Sequence, residues 1–156
     1  MNGKRATRPC KCGYLGHFSG KCRCTPDQVA QYRGRISGPL LDRIDLHVEV
    51  PALREEDLFS SATGEPSRLV RCRVARARDL QMRRQATPNS RLQAAELQRH
   101  APLHGEPRKL LRDAVSRLSL SARAQHRAIK VARTIADLVG ASAIRSEHIA
   151  EAIRYR

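Results

Sequence analysis

Ser119-Leu120-Ser121-Ala122-Arg123-Ala124-Gln125-His126-Arg127-Ala128-Ile129-Lys130-Val131-Ala132-Arg133-Thr134-Ile135-Ala136-Asp137-Leu138-Val139-Gly140 is the stretch that decides the fold class. Ala124, Ala128, Val131, Ile135 and Leu138 recur at the three- and four-residue spacing of one helix face. Ser119-Leu120-Ser121 leads into this helix and Gly140 ends it, because glycine accepts the left-handed backbone that follows a last turn.

The same period extends in both directions. Downstream, Ser146 reads as the cap of a short helix through Ile149, Ala152 and Ile153. Upstream, Pro107 opens a helix with Leu110, Leu111, Ala114, Val115 and Leu118 inward, and a less regular one near 90 to 100 carries Leu92, Ala95 and Leu97. Ser67 reads as the cap of another, with Val70, Val74 and Ala77 on one face and Arg68, Arg71, Arg73, Arg76 and Arg78 crowding the rest. Residues 67–156 are therefore expected to form a helical bundle, and 53–66, with Gly64-Glu65-Pro66, a linker.

Residues 25–52 read differently. Thr25-Pro26-Asp27-Gln28 supplies a capping hydroxyl, a proline at the first helical position and a glutamine at the third. Val29, Tyr32 and Ile36 give that helix a stripe, and Ser37-Gly38-Pro39 stops it. Ile44-Asp45-Leu46-His47-Val48-Glu49-Val50 alternates strictly and predicts a strand ended by Pro51. One strand makes no sheet, so the expected fold is mainly α: a remnant of an α/β core, one strand plus one helix, with a Cys-rich loop before it and the helical bundle after it.

Composition narrows the partners. Thirty Lys and Arg face 15 Asp and Glu, a formal net charge of +15. Solvation alone favours neither sign, so a twofold excess points to a polyanion, with nucleic acid first and nucleotide phosphate second. Aromatic residues are 3% and Trp is absent, which leaves little to stack on unpaired bases and makes DNA phosphates the expected contact. There is no membrane-spanning run and no apolar leader after Met1, so the expected location is cytoplasmic, away from membranes.

Residues 1–24 lack apolar periodicity and need a staple. Cys10-x-Cys12 and Cys22-x-Cys24 can supply one, because four thiolates from two such pairs can enclose a tetrahedral Zn²⁺. The pairs are tighter than the usual two-residue spacing. His17, between them, is an alternative ligand, and reduced thiols without metal are an alternative to zinc. Lys11, Lys21 and Arg23 favour thiolates. Cys72 stands alone on a helix and reads as packing, and no paired base and carboxylate activates a thiol for catalysis.

No G-x-x-x-x-G-K-[ST] occurs: Gly20-Lys21 is followed by Cys22, and Leu15 stands where the first glycine belongs. These residues cannot hold a triphosphate in the P-loop manner, and no ATP hydrolysis is expected of this chain alone. With the lone strand, this leads to the expectation of a C-terminal piece of something longer.

Three separated stretches resemble one family. Pro9-Cys10-Lys11-Cys12-Gly13-Tyr14-Leu15-Gly16-His17, Cys22-Arg23-Cys24-Thr25-Pro26, and Tyr32-Arg33-Gly34-Arg35-Ile36-Ser37-Gly38-Pro39-Leu40-Leu41-Asp42-Arg43-Ile44-Asp45-Leu46 look like the ComM/YifB group of magnesium-chelatase-like AAA+ ATPases. Leu120-Ser121-Ala122-Arg123-Ala124 and Lys130 to Leu138 resemble that family's lid helices.

The resemblance implies specific roles. Residues 25–52 become the end of an AAA+ core and 67–156 its helical lid. Arg43 falls where the family has its arginine finger, reaching ATP held with Mg²⁺ by a neighbouring subunit of a hexameric ring, and Arg123 where it has sensor 2. The family is associated with DNA branch migration in natural transformation. Magnesium insertion into a porphyrin, suggested by the broader family name, is disfavoured by the Cys cluster. One departure stands out: the family's Ala-Met-Asn-Pro-Cys-Pro-Cys-Gly is here Ala6-Thr7-Arg8-Pro9-Cys10-Lys11-Cys12-Gly13, so Arg8 replaces the sensor 1 asparagine, and that role is assigned to no residue. A separate possibility is a stand-alone, zinc-stapled, basic DNA-binding module.

Overall fold

The computed structural model describes residues 7–41, 43–54, 56, 59 and 64–156. These fall into two units, one within 1–43 and 49–60, the other within 44–48 and 61–156. The first holds helices α1 (Pro26–Arg33) and α2 (Gly38–Leu41). The second holds α3 (Ser67–Gln85), a 3-10 turn (Asn89–Arg91), α4 (Ala94–His100), α5 (Gly105–Arg117), α6 (Ala122–Leu138) and α7 (Ser146–Arg154). Of the linker expected over 53–66, residues 55, 57, 58 and 60–63 lie outside the described residues, as does Asp42.

The fold is mainly helical, as the periodicity predicts. At α1 the reciprocal cap forms: the Gln28 N–H donates to Thr25 Oγ1 at 3.3 Å, and the Thr25 N–H donates to Gln28 Oε1 at 3.2 Å. The helix stops at Gly34 rather than at Ser37, so Ile36 lies beyond it.

In the second unit α6 is the hub, packing against α3, the 3-10 turn, α4 and α7, while α5 packs on α7. Its fully buried line is Ala124, Ala128, Ala132 and Ala136, four residues apart; Val131, Ile135 and Leu138 flank it half-buried. Alanines on that line bring neighbouring helices close, and Leu92, Leu97, Leu111, Ile144 and Ile149 fill the space around it. Ser121 caps α6 by accepting the Ala124 N–H at 3.1 Å. Replacing it with Ala should cost about 1 kcal/mol and lower the helical bundle's melting temperature by about 4–8 °C, which a thermal melt of the chain checks. Gly140 ends the helix with φ +74°, a left-handed turn that side chains resist.

Several expectations are corrected. Ser67 and Ser146 are the first helical residues, not caps, and Pro66 and Arg145 hold the cap positions. At α7 the cap bond is supplied by His148, whose Nδ1 accepts the Arg145 N–H at 3.0 Å. Pro107 sits in the first turn of α5, which starts at Gly105. Ala95, Val74 and Leu118 are exposed, because α3, α4 and α5 meet their neighbours along narrower lines than the apolar pattern allowed.

The strand expected at 44–50 is absent. Among the described residues no second extended segment offers it a ladder, and an unpaired strand leaves its backbone groups to water. Leu46, Val48 and Val50 are 48%, 64% and 86% exposed. Within the second unit, 44–48 instead follows the chain end: the His47 N–H donates to Tyr155 O at 2.9 Å, Arg156 Nη1 donates to Ile44 O at 3.2 Å, and Asp45 pairs with Arg127 at 3.1 Å.

Candidate functional site

The four clustered thiols come together. Cys10 Sγ lies 3.4 Å from Cys12 Sγ and 3.8 Å from Cys22 Sγ, Cys12 Sγ lies 3.6 Å from Cys22 Sγ, and Cys24 Sγ lies 3.4 Å from Cys12 Sγ. All four sulfurs lie within 4.8 Å of one another. Zn–S bonds of ~2.3 Å in tetrahedral array put sulfurs ~3.8 Å apart, so the set has the size and chemistry of a four-thiolate metal centre.

Tight turns build it. The Gly13 N–H donates to Cys10 O at 3.1 Å, and Gly13 takes φ +84°, with the Arg8 side chain beside it. Arg33 of α1 donates through Nε to Pro9 O at 3.3 Å, tying that helix to the loop. His17 is not part of the cluster: its Nδ1 accepts the Ser19 N–H at 3.0 Å, and its ring stacks on Phe18 with centroids 4.3 Å apart. The structure thus brings together Cys10, Cys12, Cys22 and Cys24 and leaves His17 outside them.

Four thiols at this distance cannot all ionise unaided. Burial opposes ionisation of Cys10, but hydrogen bonds from Cys12 and from the Leu15 and Gly13 N–H groups outweigh it and lower its pKa to about 6. Cys12 is lowered too, first by the Tyr14 N–H. At Cys22 the Cys24 N–H favours the thiolate, yet burial and the neighbouring Cys12 and Cys10 push it up to about 11. Cys24 is also raised, by Cys12, burial and Cys10, against the help of the Cys12 N–H. A dication would relieve this conflict, because it attracts all four thiolates at once.

Arg43 stands in the turn after α2, its N–H donating to Leu40 O at 3.0 Å and its side chain exposed. Arg123 is the second residue of α6, exposed in the first turn. They belong to different units. Arg8 is exposed as well. Cys72, expected to pack, is exposed on α3.

Sequence reasoning missed a buried polar network in the helical bundle. Asp137, 2% exposed, accepts two hydrogen bonds from Arg84, at 2.7 and 2.9 Å, and two from Arg133, at 3.1 and 2.9 Å. Asn89 donates to it at 2.8 Å and accepts from Arg84 and Gln85, both at 2.9 Å. Arg133 also donates to Ser142 O at 3.0 Å and to Ala141 O at 2.6 Å, holding the chain after α6. The signal was the pair Arg133 and Asp137, four residues apart and in register with the buried alanines. A cavity of about 550 Å³ between α4, α5 and α6 is lined by no Asp or Glu, so it offers no carboxylate for acid–base or metal chemistry.

Residues 64–156 match the family described as magnesium chelatase, subunit ChlI C-terminal, and residues 4–58 match magnesium chelatase, subunit ChlI. The chain belongs to this magnesium-chelatase family. Among individual proteins it is similar to the YifB protein of Salmonella typhimurium, 44% identical over 143 residues. The Competence protein ComM of Haemophilus influenzae is 43% identical over 143 residues and YifB of Escherichia coli 41% over 144. In each case 90% of this chain is covered but only 28% of the relative, and the match is to the relative's C-terminal part.

Proposed function

We propose that this chain is the C-terminal portion of an AAA+ ATP-driven DNA motor, in which Arg43 is an arginine finger acting on ATP held by a neighbouring subunit and Arg123 is sensor 2. The observation that carries the reading is the exposed Arg43 in Leu40-Leu41-Asp42-Arg43-Ile44-Asp45, inside the stretch that matches subunit ChlI. A guanidinium is permanently charged and planar, and it is suited to meet charge that develops on a transferring phosphoryl group. Arg123, in the first turn of α6, has its fork free to reach a phosphate and so to couple nucleotide state to the lid. The nucleotide and its Mg²⁺ would sit in full-length subunits of a hexameric ring, since no P-loop occurs in these residues. The name of the similar Competence protein ComM supports a role in competence, and the net charge of +15 supports contact with DNA phosphates.

Cys10, Cys12, Cys22 and Cys24 would hold a structural Zn²⁺ in this reading, saturating it with four thiolates and leaving no position for substrate. Zinc there supplies a crosslink between the loop and the start of α1.

The test is co-assembly. Mixed with full-length ComM of Haemophilus influenzae and ATP, the chain should enter a ring-sized complex, and by itself it should show no turnover. Chain carrying Arg43→Ala should enter equally but slow turnover at its interface by about 10³-fold or more. Equal turnover with both chains in assembled rings would remove the finger. Failure of both to assemble, with salt-dependent DNA binding retained, would favour the stand-alone zinc-stapled DNA-binding module.

A further inference from the structure

We infer that the outward face of α3 is the surface on which this chain takes the phosphate backbone of duplex DNA. The inference rests on the DNA reading above and specifies where it acts.

Helix α3 carries seven arginines and one acid, Asp79, in 19 residues. At about 100° per residue, Val70, Ala77, Gln81 and Arg84 fall within about 60° of one line. Ala77 and Gln81 on that line are buried, and Arg84 donates to Asp137 on α6, so this line faces α6. Arg68, Arg71, Arg76, Arg78 and Arg83 all lie about 100° or more away from Ala77, and all five are exposed. Arg73, nearer the inward line, is held by Glu65 through two bonds at 2.8 and 3.0 Å. Among the described residues no ion pair engages the other five.

A solvating surface mixes its signs. Here five guanidiniums face one carboxylate along about 22 Å of helix, without a single lysine. Arginine is the cation whose fork matches phosphate oxygens, and duplex DNA presents one charge per ~1.7 Å of axis. The face has no aromatic residue, so the contact reads backbone and not bases. Cys72, exposed on the same face, is a built-in reporter.

The experiment compares two variants of this chain with equal charge loss, five arginines to glutamine from the starting +15. One changes Arg68, Arg71, Arg76, Arg78 and Arg83; the other changes the exposed Arg91, Arg99, Arg108, Arg112 and Arg117. Binding of a short duplex is followed by fluorescence anisotropy across salt, with helicity checked by circular dichroism. Five phosphate contacts weaken binding about 500-fold between about 50 and 200 mM salt. The α3 variant should lose at least about tenfold in affinity and flatten the salt dependence by several counterions, while the control loses less than about threefold. In the unmodified chain, duplex DNA should slow alkylation of Cys72, read by peptide mapping, whether or not the variants fold. Equal loss in both variants, or unprotected Cys72 in the bound state, overturns the α3 surface while leaving DNA binding in place. Absence of any binding by the unmodified chain at low salt overturns the DNA reading itself and this surface with it.

Discussion

Asp137→Asn is expected to destabilise the helical bundle by about 3–5 kcal/mol, lowering its melting temperature by roughly 15 °C or more. The substitution keeps the side chain's shape but removes the carboxylate charge that faces two guanidiniums. Arg133, 3% exposed, would then be a buried cation facing an amide that brings donors of its own. Folded domains hold only about 5–15 kcal/mol in reserve, so the loss is a large share of the whole. The alternative, that the network merely fills space, makes a different prediction, namely a melting temperature within about 2 °C of the parent chain. The double change Arg133→Met with Asp137→Leu separates the two: it should cost less than removing Asp137 alone, because the deeply buried Arg133 cation leaves with its partner and the remaining Arg84 side chain, 26% exposed, can turn to water.

The same group sets the acid limit. Burial raises the Asp137 pKa, but the hydrogen bonds from Arg84 and Asn89, with the charges of Arg133 and Arg84, more than offset it and hold the carboxyl below its ordinary value. Its pKa is therefore lower folded than unfolded. The stabilisation is complete above the unfolded value of about 3.9 and is lost as pH falls through the folded value. Stability of the parent chain should decline below about pH 4, and that decline should be shallower in the Arg133→Met, Asp137→Leu chain.

How much of this was legible from residues alone divides along physical lines. Helix positions were legible where the local signal forms its bond or turn, as at Thr25 with Gln28, Ser121 and Gly140, and missed by a residue or two at Ser67, Pro107 and Ser146, where no side chain at the expected position makes the cap. The inner face of α6 was half legible. Val131, Ile135 and Leu138 carry the hydrophobic signal, but Ala124, Ala128, Ala132 and Ala136 do the closest packing, because only small side chains admit neighbouring helices. The polar network was hidden, since Arg84, Asn89 and Asp137 lie 53 and 48 residues apart and each alone reads as a surface residue. The strand failed for the opposite reason: alternation at 44–50 reports a preference that needs a partner, and none is present among the described residues. The Cys cluster was legible as two pairs; that Cys10, and not His17, faces the others is tertiary information.

Loss of metal should have the largest effect in the first unit. Among its described residues Cys10 is the only buried side chain, and α1 buries none, so burial of apolar area cannot hold residues 9–36 together. A four-thiolate zinc centre contributes about 10–16 kcal/mol in small folded peptides, far above anything else available to this loop. The chain purified under reducing conditions should carry one zinc ion, measurable by elemental analysis. A strong chelator should then expose Lys11, Lys21, Arg23, Arg33 and Arg35 to trypsin, with cleavage about 100-fold faster or more, as expected when a site is cut only from an opened state. The helical bundle, whose core includes Leu92, Leu111, Ala132 and Ile149, should keep its melting temperature. Cys12 has the closest sulfur contacts, to Cys10 and Cys24 at 3.4 Å each, so Cys12→Ser should reproduce the chelator's effect, while Cys72→Ser on exposed α3 should not. If the purified chain holds no metal and resists trypsin equally with and without chelator, the cluster is a set of reduced thiols packed by hydrogen bonds, and the turn around Gly13 with the Arg33 to Pro9 bond is what holds the loop.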